Sequence, residues 1–207
     1  MNKKILWYIA DPMCSWCWGF SPIIEAIRIN YDNNLKLKLI MGGLRSGKSA
    51  IEPEQRLEIL GHWRSVNNRT GQPFSFEGAM PEGFIYDTEP SCRGVVAMAL
   101  INPDLVFSFL KSIHFAFYVE QENVTHPDIL AHLAGKMGID MRLYLKIFES
   151  EEAKDKVLTH FEKVLQWGVH SFPTLVSQDM KESYRILNSG YIPLDALCQK
   201  IDVWLNT

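Results

Sequence analysis

Cys14 and Cys17 stand three positions apart, with Ser15 and Trp16 between them, a few residues after the apolar run Ile5–Ala10. A close cysteine pair has three uses: to ligate a metal, to exchange disulfides, or to fill a core. A spacing of nearly one helical turn puts both sulfurs on one side of a helix, where they can bond to each other. The first turn of a helix offers unpaired N–H groups and the positive end of the dipole, and both favour a thiolate. Cys14 in that place is expected to attack disulfides, and Cys17 to resolve the mixed disulfide that results. A structural zinc site takes four ligands, typically as two close pairs. Cys92 and Cys198 are isolated, so no metal site is expected. They fall at apolar positions of expected helices and read as small buried fillers.

The elements around the pair support the redox reading. Ile5–Ala10 is continuously apolar, as in a strand buried on both faces. Ile23, Ile24, Ala26 and Ile27 continue a helix that stops before the turn cluster Asp32-Asn33-Asn34. Residues 35–40 alternate as a half-exposed strand, and Lys36 and Lys38 mark a protected sheet edge. Residues 49–167 read as mostly helical, with a loop-rich stretch over 66–90. Helices are expected over 92–101, 104–121, 127–138 and 151–167, the last with Ser150 as N-cap, a stripe of Ala153, Val157, Leu158, Phe161, Val164 and Leu165, and Gly168 as its stop. The tail reads as a strand over 174–177, a turn over 179–182, a strand over 184–187 and a helix over 194–205. The order βαβ, helical block, ββα describes an α/β protein with a thioredoxin-like fold and a large helical insertion. Residues 1–48 and 166–207 form the thioredoxin-like part in this reading, and 49–165 the insertion, placed over the cysteines to shape a substrate groove.

The segment Asp11-Pro12-Met13-Cys14-Ser15-Trp16-Cys17-Trp18-Gly19-Phe20, together with Gly168-Val169-His170-Ser171-Phe172-Pro173-Thr174, resembles the DsbA-like branch of the thioredoxin superfamily, nearest its cytoplasmic "predicted protein-disulfide isomerase" group. The resemblance covers the whole chain. It implies that Cys14 is the nucleophile, Cys17 the resolving cysteine and Pro173 a cis-proline facing them, and that the Phe172 backbone pairs with a bound peptide. Ser15, Trp16 and Trp18 complete the expected substrate contacts. The substrate is expected to be a protein or small thiol or disulfide, with no cofactor beyond the redox-active disulfide and with glutathione open as a co-substrate. Two departures bear on the redox poise. Tyr8 stands where thioredoxins carry an acid six residues before the first cysteine, and Ser15-Trp16 lacks the histidine of strongly oxidising members.

Other signals compete. Gly42-Gly43-Leu44-Arg45-Ser46-Gly47-Lys48-Ser49 matches a phosphate-binding loop, but its strand is lysine-rich and Pro53 interrupts the helix it would need. Kappa-class glutathione transferases share the resembled architecture, with a serine in place of the first cysteine. A third reading is a non-catalytic peptide-binding module built on Trp16, Trp18, Phe20 and Phe172, although Phe20 reads better as core. His170 reads as an ordinary surface or core histidine. Among 207 residues the net charge of −3 gives no nucleic-acid footprint. No run approaches the roughly 20 apolar residues of a membrane span. The apolar run at the N-terminus is shorter than the roughly 7–15 residues of a signal core, so a cytoplasmic location is expected.

Overall fold

The computed structural model describes residues 3–179 and 183–207, so part of the turn expected over 179–182 lies outside the described residues. In chain order the elements are β1 (Lys4–Ala10), α1 (Ser15–Asn30), β2 (Leu35–Met41), α2 (Pro53–Thr70), α3 (Glu89–Ile101), a 3-10 turn (Pro103–Leu105), α4 (Val106–Tyr118), α5 (Pro127–Lys136), α6 (Met141–Phe148), α7 (Glu151–Gln166), β3 (Thr174–Gln178), β4 (Tyr184–Ser189) and α8 (Leu194–Leu205). The sheet order is β2-β1-β3-β4. β1 and β2 run parallel, and β3 runs antiparallel to both β1 and β4. This is the mixed α/β, thioredoxin-like arrangement that the element order implies, with β2 at the sheet edge.

Strand alternation divides the core into two faces. Leu6, Tyr8 and Ala10 of β1 join Leu35 and Met41 of β2, Leu175 of β3, and buried residues of α1 and α8. Ile9, Ile40 and Val176 point to the other face, where Val164 of α7 and Val169 cover them. The helical block is tied to the first face at close approaches. A Cβ on Gly19 of α1 would sit 2.7 Å from Val66 Cγ1 of α2. Trp63 of α2 packs against Phe74, Phe117 and Tyr118 at ring-centroid distances of 4.9–5.5 Å.

Several boundaries differ from the sequence expectation, each for a local reason. α2 starts only at Pro53, where Glu52 and Gln55 form a capping box, and runs through Thr70 into the stretch expected to be loop. Val66 holds it against α1, and Gly71, at φ +73°, ends it. The helix expected over 104–121 splits, because the Asn102 side chain caps Asp104 N–H in a 3-10 turn. It stops at Tyr118, whose carbonyl accepts the Ser75 N–H at 2.8 Å. α6 is a separate helix started by the Asp140 side chain, which accepts the Leu143 N–H at 2.8 Å. The buried stripe of α7 is narrower than expected, since Leu158 and Leu165 are exposed. Cys198 is half-buried on α8, not a core filler.

The Gly42 Cα lies against the Phe172 ring, where an added Cβ would come within 2.3 Å of it. Gly42→Ala is therefore expected to lower stability by about 1–3 kcal/mol through overpacking. A urea midpoint equal to that of the parent protein would contradict this packing.

Candidate redox site

Cys14 is the N-cap of α1, with extended backbone, and Cys17 and Trp18 N–H both donate to its carbonyl. Cys14 keeps 5 % of its surface exposed and Cys17 keeps none. The two thiols are thus inequivalent: the first can be reached by a substrate, and the second only through the first. The Cys14 Sγ–H donates to the Phe172 carbonyl at 3.5 Å. The Phe172–Pro173 peptide is cis. Burial raises the pKa of the Cys17 thiol, and the Cys14 thiol beside it adds to the rise.

Behind the cysteines lies a buried polar cluster that local spacing does not reveal. The Asp11 carboxylate is fully buried. It accepts N–H from Met13 at 2.8 Å and from Leu44 at 2.7 Å, and the thiol of Cys92 at 3.3 Å. Burial raises its pKa despite these bonds. Cys92 is therefore a polar partner within the cluster as well as a packed residue, and burial, then the Asp11 charge, raises its own pKa. The His114 ring stands 3.2 Å from the Asp11 carbonyl through Nε2 and is held down to about pKa 4 by burial. A neutral ring at that pKa donates Nε2–H to the carbonyl. Tyr86 donates its hydroxyl to the Met13 carbonyl at 2.5 Å. Tyr8 stands in the slot before the cysteines; burial, then the charge of Cys17, raises its pKa. Asp11, Cys92, His114, Tyr86 and Tyr8 are the site residues that the sequence reading did not assign. Only Tyr8 and Asp11, six and three positions before Cys14, carried a local signal.

The expected substrate contacts separate into two groups. Ser15, Trp16 and Phe172 are half-buried at the mouth of the site, and Pro173 is buried beneath it. Trp16 packs on Tyr191 at 5.9 Å. Trp18 is a correction: it is 3 % exposed, and its indole N–H donates to the Pro73 carbonyl at 2.9 Å, so it anchors the helical block instead of meeting substrate. Phe20 is core, and His170 is on the surface. The phosphate-loop pattern has other work. Leu44 N–H is spent on Asp11, Thr88 N–H donates to the Arg45 carbonyl, and a Cβ on Gly47 would lie 2.5 Å from the Tyr86 carbonyl. No helix opens there before Pro53, so no N-terminus faces a phosphate. Among the described residues there is no cluster of three or more metal-ligating side chains, and no helix is long and apolar enough to cross a membrane.

This site sits on a fold with known relatives. The model of the DSBA-like thioredoxin domain matches residues 6–202, and the chain belongs to that family. A Nitrosomonas europaea structure described as a candidate protein disulfide isomerase is 50 % identical, with a TM-score of 0.94, covering 99 % of this chain and 98 % of that one. The cytosolic disulfide reductase DsbM from Pseudomonas aeruginosa shares the fold at 22 % identity, with a TM-score of 0.79 and 98 % of each chain covered. Among curated proteins, the ClpXP adapter protein SpxH of Halalkalibacterium halodurans is 23 % identical over 93 % of this chain. The chain spans 64 % of that relative's length.

His114 gives the site a pH signature. Its pKa falls from about 6.5 in the unfolded chain to about 4 in the fold. The stability held by the neutral ring is therefore complete above pH 6.5 and is lost as pH falls toward 4, by about 3 kcal/mol. Denaturant unfolding at pH 7 and pH 4.5 is expected to show a smaller acid loss for His114→Phe than for the parent protein. Equal losses would mean that His114 does not stay neutral in the fold.

Proposed function

We propose that the protein is a thiol–disulfide oxidoreductase working through Cys14 and Cys17. The observation that carries this reading is the asymmetric pair at the start of α1, with the Cys14 thiol on the Phe172 carbonyl and Cys17 enclosed behind it. Cys14, as thiolate, attacks a substrate disulfide; a Cys14–substrate S–S bond forms and the substrate's other sulfur leaves as a thiolate. Cys17, deprotonated, then attacks the Cys14 sulfur and expels the second substrate sulfur. Two electrons and two protons pass to the substrate, and Cys14–Cys17 is left as a disulfide. A second dithiol, or two molecules of glutathione, restores the reduced pair.

Ser15, Trp16, Phe172 and Pro173 shape the mouth that receives the substrate. The site needs no metal or organic cofactor in this scheme. Neither Ser15 nor Trp16 brings a cation to the Cys14 thiolate, and burial favours neutral Cys17. We infer from this that the reducing direction, in the cytoplasm, suits the site better than oxidation. A cytosolic reductase such as DsbM shares the fold, and a structure of that protein holds glutathione. A kappa-type transferase reading has no support in the thiol arrangement, since both cysteines are present and aligned.

Two variants separate this reading from the rest. Cys14→Ser is expected to abolish reduction of a model protein disulfide, a loss of at least about a thousandfold. Cys17→Ser is expected to accumulate a Cys14-linked mixed disulfide visible by mass spectrometry. Ligand binding with full turnover in both variants would overturn the proposal.

A further inference from the structure

A groove of about 1240 Å³ runs along the free edge of β2, and none of Cys14, Cys17, Phe172 or Pro173 lines it. Arg28 near the end of α1 and Phe107 of α4 form one wall; Lys156 and His160 of α7 form the other. β2 is the outermost strand, so one side of its backbone is unpaired by the sheet. Alternation tells which groups face outward. Gly42 N–H crosses to the Ala10 carbonyl on β1. Leu35 N–H turns the opposite way, to the Tyr31 carbonyl, and Met41 N–H turns outward to His160 Nδ1 at 3.4 Å. Leu37 and Leu39 lie between these anchors in the same phase. Their N–H and C=O groups face the groove, and among the described residues they have no partner.

The groove is also charged. Arg28, Lys36, Lys38 and Lys156 line it, and among the described residues none takes part in an ion pair. Glu25, on the same wall as Arg28, is already paired with Lys111 at 3.5 Å. Burial, then the neighbouring Lys36 and Lys163, lowers the pKa of Lys38. Asp32 and Asp104 line the groove as well, so its five lysine and arginine side chains (Lys3, Arg28, Lys36, Lys38 and Lys156) outnumber three carboxylates and leave an excess of positive charge beside the open strand.

We propose that the β2 edge binds an extended acidic peptide segment of a partner protein, which adds as a further strand on Leu37 and Leu39 and sets its carboxylates on Lys36, Lys38, Lys156 and Arg28. A second copy of this chain is a poorer occupant, because β2 against β2 would oppose Lys36 and Lys38 with the same residues. The surface is separate from the thiols and does not rest on the redox reading.

The test uses a fluorescein-labelled, cysteine-free peptide of about ten residues that alternates Glu and Thr, read by fluorescence anisotropy at about 50 mM salt. We expect binding that slows amide hydrogen exchange at Leu37 and Leu39 by about tenfold or more. Lys36→Glu/Lys38→Glu is expected to weaken it about tenfold, and a Lys–Thr peptide is expected not to bind. Leu37→Pro removes one outward N–H while sparing the ladder to β1, and should weaken binding similarly. If that variant fails to fold by circular dichroism, the lysine variant and the exchange data decide. Absent binding, binding indifferent to the charge reversal, or Leu37 and Leu39 amides already protected in a self-associated, peptide-free protein would each overturn the proposal.

Discussion

A single buried carboxylate sets the geometry of the cysteine segment. Asp11 leaves water completely and is offset by two backbone N–H groups and a thiol. An ionised carboxylate without such donors would be far too costly to bury. The bonds run to three separate pieces of chain: the loop that leads into Cys14, the loop that leaves β2, and α3. The backbone of Asp11 adds two more ties, to the Cys14 N–H at 3.1 Å and to His114 of α4. The position of Cys14 is therefore fixed from both the sheet and the helical block.

Other contacts depend on that anchor. With the loop after β2 held by Asp11, Gly42 comes flat against the Phe172 ring, and the Phe172 carbonyl meets the Cys14 thiol. Trp18, one residue past Cys17, is drawn into the helical block by the Pro73 carbonyl, and Gln72 returns a bond to the Trp18 carbonyl at 3.0 Å. The helical block thus closes over the rear of the pair. What remains open is a narrow front at Cys14, bordered by Ser15, Trp16 and Phe172. Under the proposed function, this arrangement orders the sulfur chemistry: attack through Cys14, release through Cys17.

The parts of the fold that are legible in sequence are those written in local pattern. The lysine alternation of β2 and the amphipathic run of α8 each carry the period of their element, β1 is marked by a short, continuously apolar run, and α8 spans the residues expected, 194–205. The Cys14–Cys17 pair and Pro173 are legible for the same reason, as short motifs beside recognisable elements. The cluster behind them is not. Cys92 meets Asp11 across 81 positions and His114 meets it across 103, and nothing local distinguishes a thiol that will bind a carboxylate from one that will pack. Trp18 misleads because it belongs to the cysteine motif in sequence but to the aromatic interior in space. The glycines at 42, 43 and 47 mimic a phosphate loop because close backbone packing and positive φ select glycine for their own reasons.

The most direct measurement is the equilibrium of the Cys14–Cys17 pair in glutathione buffers, with thiols trapped and counted by mass spectrometry. We expect one two-electron transition that links Cys14 to Cys17 alone, with Cys92 and Cys198 unchanged. Its midpoint should fall in the reducing range, at about −200 to −300 mV, since neither Ser15 nor Trp16 brings a cation between the two cysteines. A chain in which no Cys14–Cys17 disulfide forms across the whole range would contradict the redox assignment.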